Sequence, residues 1–156
     1  MPTALITGAS RGIGRAVAEK FAQNSYRLVL NSFRSEENLN ALAKELAATY
    51  HISCLPCAGN VSDPVFVAEL FQKANEAFGG IDVLINNAGI ADIGLFHEMS
   101  VHRWQEMINT NLSSVFYCCR QAAPHMIRKK SGRIINISSV WGIAGASCEA
   151  AYSAAK

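Results

Sequence analysis

The sequence lacks any apolar run near the roughly 20 residues that a membrane-crossing helix requires, and it lacks a surplus of either charge. Charged residues make up 17% of the chain, and 14 Lys and Arg against 12 Asp and Glu leave a formal net charge of +2. No basic stripe of the kind nucleic-acid binding demands is present, so the expected partner is a small molecule and neither a nucleic acid nor a membrane. The opening residues, Met1-Pro2-Thr3-Ala4-Leu5, have no cationic segment and no small-residue cleavage site, which predicts a cytoplasmic protein. Five cysteines, an odd count without an export signal, argue for reduced thiols over a disulfide framework. There is no internal repeat, linker or low-complexity tract.

What is present is a regular alternation. Half of the 156 residues are apolar, which suits one domain burying about 68–70% of its unfolded surface. Short apolar runs at residues 4–7, 28–31, 52–57, 83–86 and 134–138 read as buried strands. Helix-period segments at 11–24, 35–49, 64–78 and 100–130 lie between them, so the pattern is β-α repeated and the expected fold is a parallel, doubly wound α/β sheet. Gly79-Gly80 and Ser131-Gly132 punctuate the starts of the fourth and fifth strands, and Ser62-Asp63-Pro64 reads as a helix start with proline in its first turn. Pro124 is expected to bend the long helix, and Arg128, Lys129 and Lys130 read as its solvated, cation-rich end. The pair Cys54 and Cys57 lies along a strand, not at a helix start, and reads as buried core; His51, His97, His102 and His125 show no ligand spacing.

Directly after the first strand comes Thr7-Gly8-Ala9-Ser10-Arg11-Gly12-Ile13-Gly14. Glycines between a strand and a helix let the backbone turn tightly and approach a pyrophosphate, whose charge meets free amides and the positive helix end. On its own the segment indicates a nucleotide and nothing finer.

Residues 7–14, Asn86-Asn87-Ala88-Gly89 after the fourth strand, Asn111, Ser139, Tyr152 and Lys156 together resemble the short-chain dehydrogenase/reductase family. The resemblance implies a Rossmann-type sheet whose first five strands run 3-2-1-4-5, and hydride transfer between a nicotinamide cofactor and a ketone or secondary alcohol. It makes Ser139, Tyr152 and Lys156 catalytic, with Asn111 as a fourth member that holds a proton-relaying water. Gly8, Ser10, Arg11, Gly12, Ile13, Gly14, Arg34, Asn60, Val61, Asn87, Ala88 and Gly89 then fall at cofactor-binding positions. Asn86, Asn87 and Gly89 resemble a loop that stabilises the sheet and passes beneath the cofactor. Asn60-Val61 stands where the family often has Asp-Val, and asparagine can still bond adenine.

The catalytic set also makes sense without the family. Tyr152 and Lys156, four apart on a helix, share one face. A phenol ionises near pH ~10, so proton exchange near neutrality asks for about 4 kcal/mol. One cation at ~4 Å with an effective dielectric of ~20 supplies about that much, which would let Tyr152 act as a general acid/base. Ser139, at the carboxyl end of the fifth strand, would hydrogen-bond the substrate oxygen as charge develops.

The second strand ends without an acid to bind ribose hydroxyls. Asn31-Ser32-Phe33-Arg34 offers small polar groups and a cation, and Arg11 reaches the same region, so NADP(H) is expected over NAD(H). The overall pattern is similar to bacterial 3-oxoacyl-carrier-protein reductases. Trp141 with Ala146-Ser147-Cys148-Glu149 also resembles the reductases of aminopentanone-modified elongation factor P, where Glu149 would attract an amine; an acidic carrier protein would prefer arginines such as Arg103. Family members run on for roughly another hundred residues. The expectation is therefore a single dinucleotide-binding domain over 1–156, incomplete at its C-terminus, with an exposed fifth strand and a tendency to associate. Nucleotide binding would be weak and turnover slight because Lys156 would not be held in place, leaving a non-catalytic nucleotide module as the alternative.

Overall fold

Adjacent residues of a strand point to opposite faces, and this chain places apolar groups on both. The computed structural model describes residues 1–156. Its strands are β1 (Thr3–Ile6), β2 (Arg27–Ser32), β3 (Cys54–Ala58), β4 (Val83–Asn86) and β5 (Arg133–Asn136). All neighbours pair in parallel in the order β3-β2-β1-β4-β5, as expected. Ala4, Ile6, Leu28 and Leu30 enter one cluster with Ala18, Leu39 and Leu42, from α1 (Gly12–Gln23) and α2 (Glu36–Tyr50). Leu5, Val29 and Leu84 enter another with Val67 and Leu70 of α3 (Pro64–Phe78) and Cys118 and Ala122 further along. The result is a three-layer, doubly wound sheet in which the central strands are buried on both sides. No helix is long and apolar enough to cross a membrane.

The expected helix at 100–130 exists with one interruption. Ser100 caps its start, its Oγ accepting from Arg103 N at 3.2 Å. The helical path then runs through α4 (Val101–Ile108), a π-helical turn at Asn109–Ser113 and α5 (Ser114–Lys129). Pro124 lies inside α5, which continues to Lys129. Asp63 caps α3 by accepting from Val65 N at 2.9 Å, with proline in the first turn as read. Two short helices close the chain, α6 (Trp141–Ala144) and α7 (Ala150–Ala155). Tyr152 is thus inside a helix that begins at Ala150, not at its start.

Several local readings need correction. β5 spans Arg133–Asn136, short of 138, because Ser138 turns away to donate from Oγ to Lys156 O at 2.9 Å. Cys54 packs toward the α1–α2 layer and Cys57 toward the other, so the two thiols face opposite sides of the sheet; burial pushes Cys54 up to about 11. As expected, β5 is an edge strand exposed along its whole length. The end of α5 is not merely solvated, since Lys129 Nζ donates to Asp82 Oδ1.

Asp82 ties the amino ends of two strands to that helix. Its Oδ2 accepts from Thr3 N at 2.8 Å. Burial pushes the carboxyl up, but the Lys129 hydrogen bond, the Thr3 amide and the nearby cations together hold it below its ordinary range. The unfolded chain therefore takes up this proton first, so the stabilisation is complete above the ordinary carboxylate range and is lost as pH falls through the lowered folded value. Asp82→Asn is expected to flatten the loss of stability below about pH 4, read by denaturant midpoints across an acid series. An unchanged acid slope would contradict this.

Candidate active site

The fold sets the site before any side chain is considered. β1 and β4 are neighbours although the chain leaves them in opposite directions across the sheet, and such a switch point opens a crevice at the carboxyl ends of the strands. The loop between β1 and α1 lines it. Gly8 and Gly12 adopt φ values of +67° and +55°, where side chains are strained. Thr7 Oγ1 accepts from both Asn87 N and Ala88 N at 3.0 Å, and Asn87 Nδ2 donates to the carbonyls of Thr7 and Gly8. Asn86 Nδ2 reaches Asn136 Oδ1 at 2.9 Å. The Asn86-Asn87-Ala88 stretch therefore stitches β1, β4 and β5 together at their carboxyl ends.

Here lies a cleft of about 790 Å³, within the size range of small-molecule sites. Gly8, Ser10, Arg11, Gly12, Ile13, Arg34, Asn60, Val61, Asn87, Ala88 and Gly89 all line it. Gly14 does not. A Cβ there would stand 2.2 Å from Gly8 O and 2.6 Å from Asn87 Nδ2, so Gly14 lets α1 pack beneath the loop. Asn31 lines the cleft but commits its amide to the protein: it is 1% exposed and donates to Cys57 O and Gly59 O at 3.0 Å each. Ser32 instead takes the polar position beside the loop, its Oγ donating to Ser10 Oγ at 2.9 Å. Asn60 Oδ1 is taken by Ser62 N and Ser62 Oγ.

The four residues expected to be catalytic, Asn111, Ser139, Tyr152 and Lys156, lie outside the lining of this cleft. A Cβ on Gly89 would lie 3.0 Å from Asn111 Oδ1 and 3.5 Å from Lys156 Nζ, which brings cleft and corner into contact. Asn111 sits in the π turn, buried, and clamps a neighbouring loop by both of its amide atoms. Oδ1 accepts from Ile90 N, and Nδ2 donates to Ile90 O, each at 2.8 Å. The side chain is a backbone clamp. Lys156 is fixed, against expectation: Nζ donates to Ile137 O at 2.9 Å and lies 5.8 Å from the centre of the Tyr152 ring. Burial lowers the pKa of its ammonium below the ordinary lysine range, because the charged form loses hydration. Tyr152 is half-buried against Met107, Ala151 and Ala155. Ser139 Oγ accepts from Trp141 N at 3.2 Å, so its hydroxyl hydrogen remains available to donate.

A family model for short chain dehydrogenases matches residues 2–156. The chain belongs to the short-chain dehydrogenase family. It is 40% identical over 154 residues to the 3-oxoacyl-[acyl-carrier-protein] reductase FabG of Staphylococcus aureus, covering 99% of this chain and 62% of the relative. The Escherichia coli enzyme of the same name is 41% identical over 153 residues, with 98% and 61% covered. The chain thus spans somewhat under two thirds of the length of those relatives. Among solved structures, it is similar to an alcohol dehydrogenase from Thermococcus sibiricus complexed with 5-hydroxy-NADP, with a TM-score of 0.94, 31% identity and 99% and 65% of the two chains covered. It is also similar to a metagenomic short-chain oxidoreductase in complex with NADP, with a TM-score of 0.94, 38% identity, and 99% and 70% covered.

Sequence reasoning missed part of this cleft. Gly59, Ile90, Glu106, Asn109 and Thr110 also line it. The last three come from α4 and the π turn, and no spacing rule connects them to the glycine loop. Arg103, read as a docking cation, is already engaged: it bonds Asp92 at 2.7 Å and Glu106 at 3.1 Å.

Proposed function

We propose that this chain carries the cofactor-binding and catalytic residues of a reductase that transfers hydride between NADP(H) and a ketone, with a carrier-bound 3-oxoacyl group as substrate. One observation carries the reading. Lys156 Nζ, 5.8 Å from the centre of the Tyr152 ring one helical turn earlier, would lie 3.5 Å from a Cβ on Gly89, a residue that lines the glycine-loop cleft. The cleft fits a dinucleotide: a Cβ on Gly12 would meet nothing within 4 Å, leaving room at the helix start, and Arg11 and Arg34 both line the space. When bound there, a reduced nicotinamide supplies the hydride.

The chain's own groups do the rest. Tyr152 gives its hydroxyl proton to the substrate oxygen, Lys156 stabilises the negative charge left on it, and Ser139 donates a hydrogen bond to the same substrate oxygen. Asn111 acts by holding the Ile90 loop against this corner. The preference for NADP(H) rests on two cations lining the cleft and on Ser32, not an acid, at the end of β2. Trp104, Leu112 and Phe116 are exposed on the α4–α5 rod and favour association of copies. Turnover by the chain alone is expected to be slow because the substrate side is open: Val140 is 62% and Ile143 91% exposed.

The test measures nucleotide affinity by titration and reduction by loss of nicotinamide absorbance, under single-turnover conditions with protein in excess. Expected are tighter binding of NADPH than NADH and slow reduction of a 3-oxoacyl thioester, in preference to an amine-bearing ketone. Equal binding of the two nucleotides removes the cofactor assignment, and preference for the amine-bearing ketone removes the substrate assignment.

A further inference from the structure

At the outer end of the cleft, four charged side chains of alternating sign form a chain. Arg34, in the segment after β2, lies 3.9 Å from Glu106 of α4. Glu106 also meets Arg103 at 3.1 Å, and Arg103 meets Asp92 at 2.7 Å. Arg34 and Glu106 both line the cleft, and their contact spans it from the β2 side to the α4 side. The Arg34 side chain is 76% exposed and that of Glu106 30%, so this long ion pair does little for the fold. Its position is what matters. The end of β2 has no acid to discourage a phosphate, yet α4 brings one to the same cation.

We propose that Glu106 is a specificity-determining residue that lowers affinity for a ribose 2′-phosphate by competing with it for Arg34. The proposal rests on the NADP(H) reading above. A phosphate reaching Arg34 must displace the Glu106 carboxylate and then bind near its charge. The pyrophosphate would meet the glycine loop instead, away from this pair. Arg103 moderates the effect by sharing Glu106, and Asp92 in turn holds Arg103 from the other side. Arg11 is the second cation of the cleft, while His102 and Gln105 are the other α4 side chains on this wall.

Glu106→Gln keeps the shape and removes the charge. Titrations with NADP+ and NAD+ at low salt should show NADP+ binding tightened roughly three- to tenfold and NAD+ changed by less than about twofold. The gain should vanish in about 1 M salt, where charges are screened beyond roughly 3 Å, and in an Arg34→Ala background. Equal tightening of both nucleotides overturns the proposal, as does weaker NADP+ binding, which would make Glu106 a support for Arg34. An unchanged ratio in a variant with native thermal stability overturns it too. Failure of the underlying reading is distinguishable: the unsubstituted protein and Glu106→Gln would then both show no preference for NADP+, and both statements would fall. If Glu106→Gln does not fold, Arg103→Gln serves. It frees Glu106 to bind Arg34 and should weaken NADP+ selectively, and an equal effect on NAD+ overturns the proposal.

Discussion

Tyr152→Phe is expected to lower the single-turnover rate of ketone reduction by roughly 10²–10⁴-fold, about 3–5 kcal/mol in barrier. Nucleotide affinity should change by less than about twofold, because the ring, not the hydroxyl, packs against Met107, Ala151 and Ala155. The hydroxyl is the group assigned here to pass a proton to the substrate oxygen. Lys156, its ammonium anchored to Ile137 O, acts on the tyrosine oxygen through its charge and not as the proton donor to the substrate. A variant retaining the parental rate would remove Tyr152 as the acid. No turnover by the unsubstituted protein with either ketone would leave a nucleotide-binding module and no chemistry.

The second large effect concerns packing. Gly14→Ala places a Cβ where only 2.2 Å separates it from Gly8 O and 2.9 Å from Gly8 C. Backbone cannot rotate away as a flexible side chain can, so either α1 lifts or the loop shifts. A loss of about 2–4 kcal/mol is expected, a fall in Tm of roughly 5–15 °C for a chain of this size, together with loss of nucleotide binding. Gly12→Ala is the informative contrast. Nothing lies within 4 Å of its would-be Cβ and only the φ of +55° opposes it, so it should cost about 1 kcal/mol. Equal melting temperatures for the two variants would refute the steric account.

These two sites differ in how far the sequence disclosed them. The strands were visible as apolar runs because both faces of β1, β2 and β4 are covered, and continuous burial leaves a continuous apolar signature. The glycine loop was visible as a motif, but motif spacing does not separate Gly8 and Gly12, which line the cleft, from Gly14, which lies under it. Tyr152 and Lys156 were legible because four-residue spacing on a helix fixes their common face. Glu106 was not, because its meaning depends on α4 crossing opposite the end of β2, a relation between elements distant in sequence. Lys129 likewise read as a solvated helix end until Asp82 appeared beside it. The clamp made by Asn111 depends on the π turn, and the residues there carry no turn-breaking glycine or proline to announce it.

That π turn has a geometric consequence of its own. An α-helix advances about 100° per residue, and a single wide turn adds one residue without adding a turn. The surface before residue 109 and the surface after 113 are therefore out of angular phase. Met107 meets Ala151 and Ala155, whereas Cys118, Ala122 and Met126 meet the sheet layer of Leu5 and Leu84. One continuous rod thus serves two separate interiors. Removing a single residue from 109–113 would rotate everything downstream about its axis, turning Cys118 toward water while every side chain kept its chemistry.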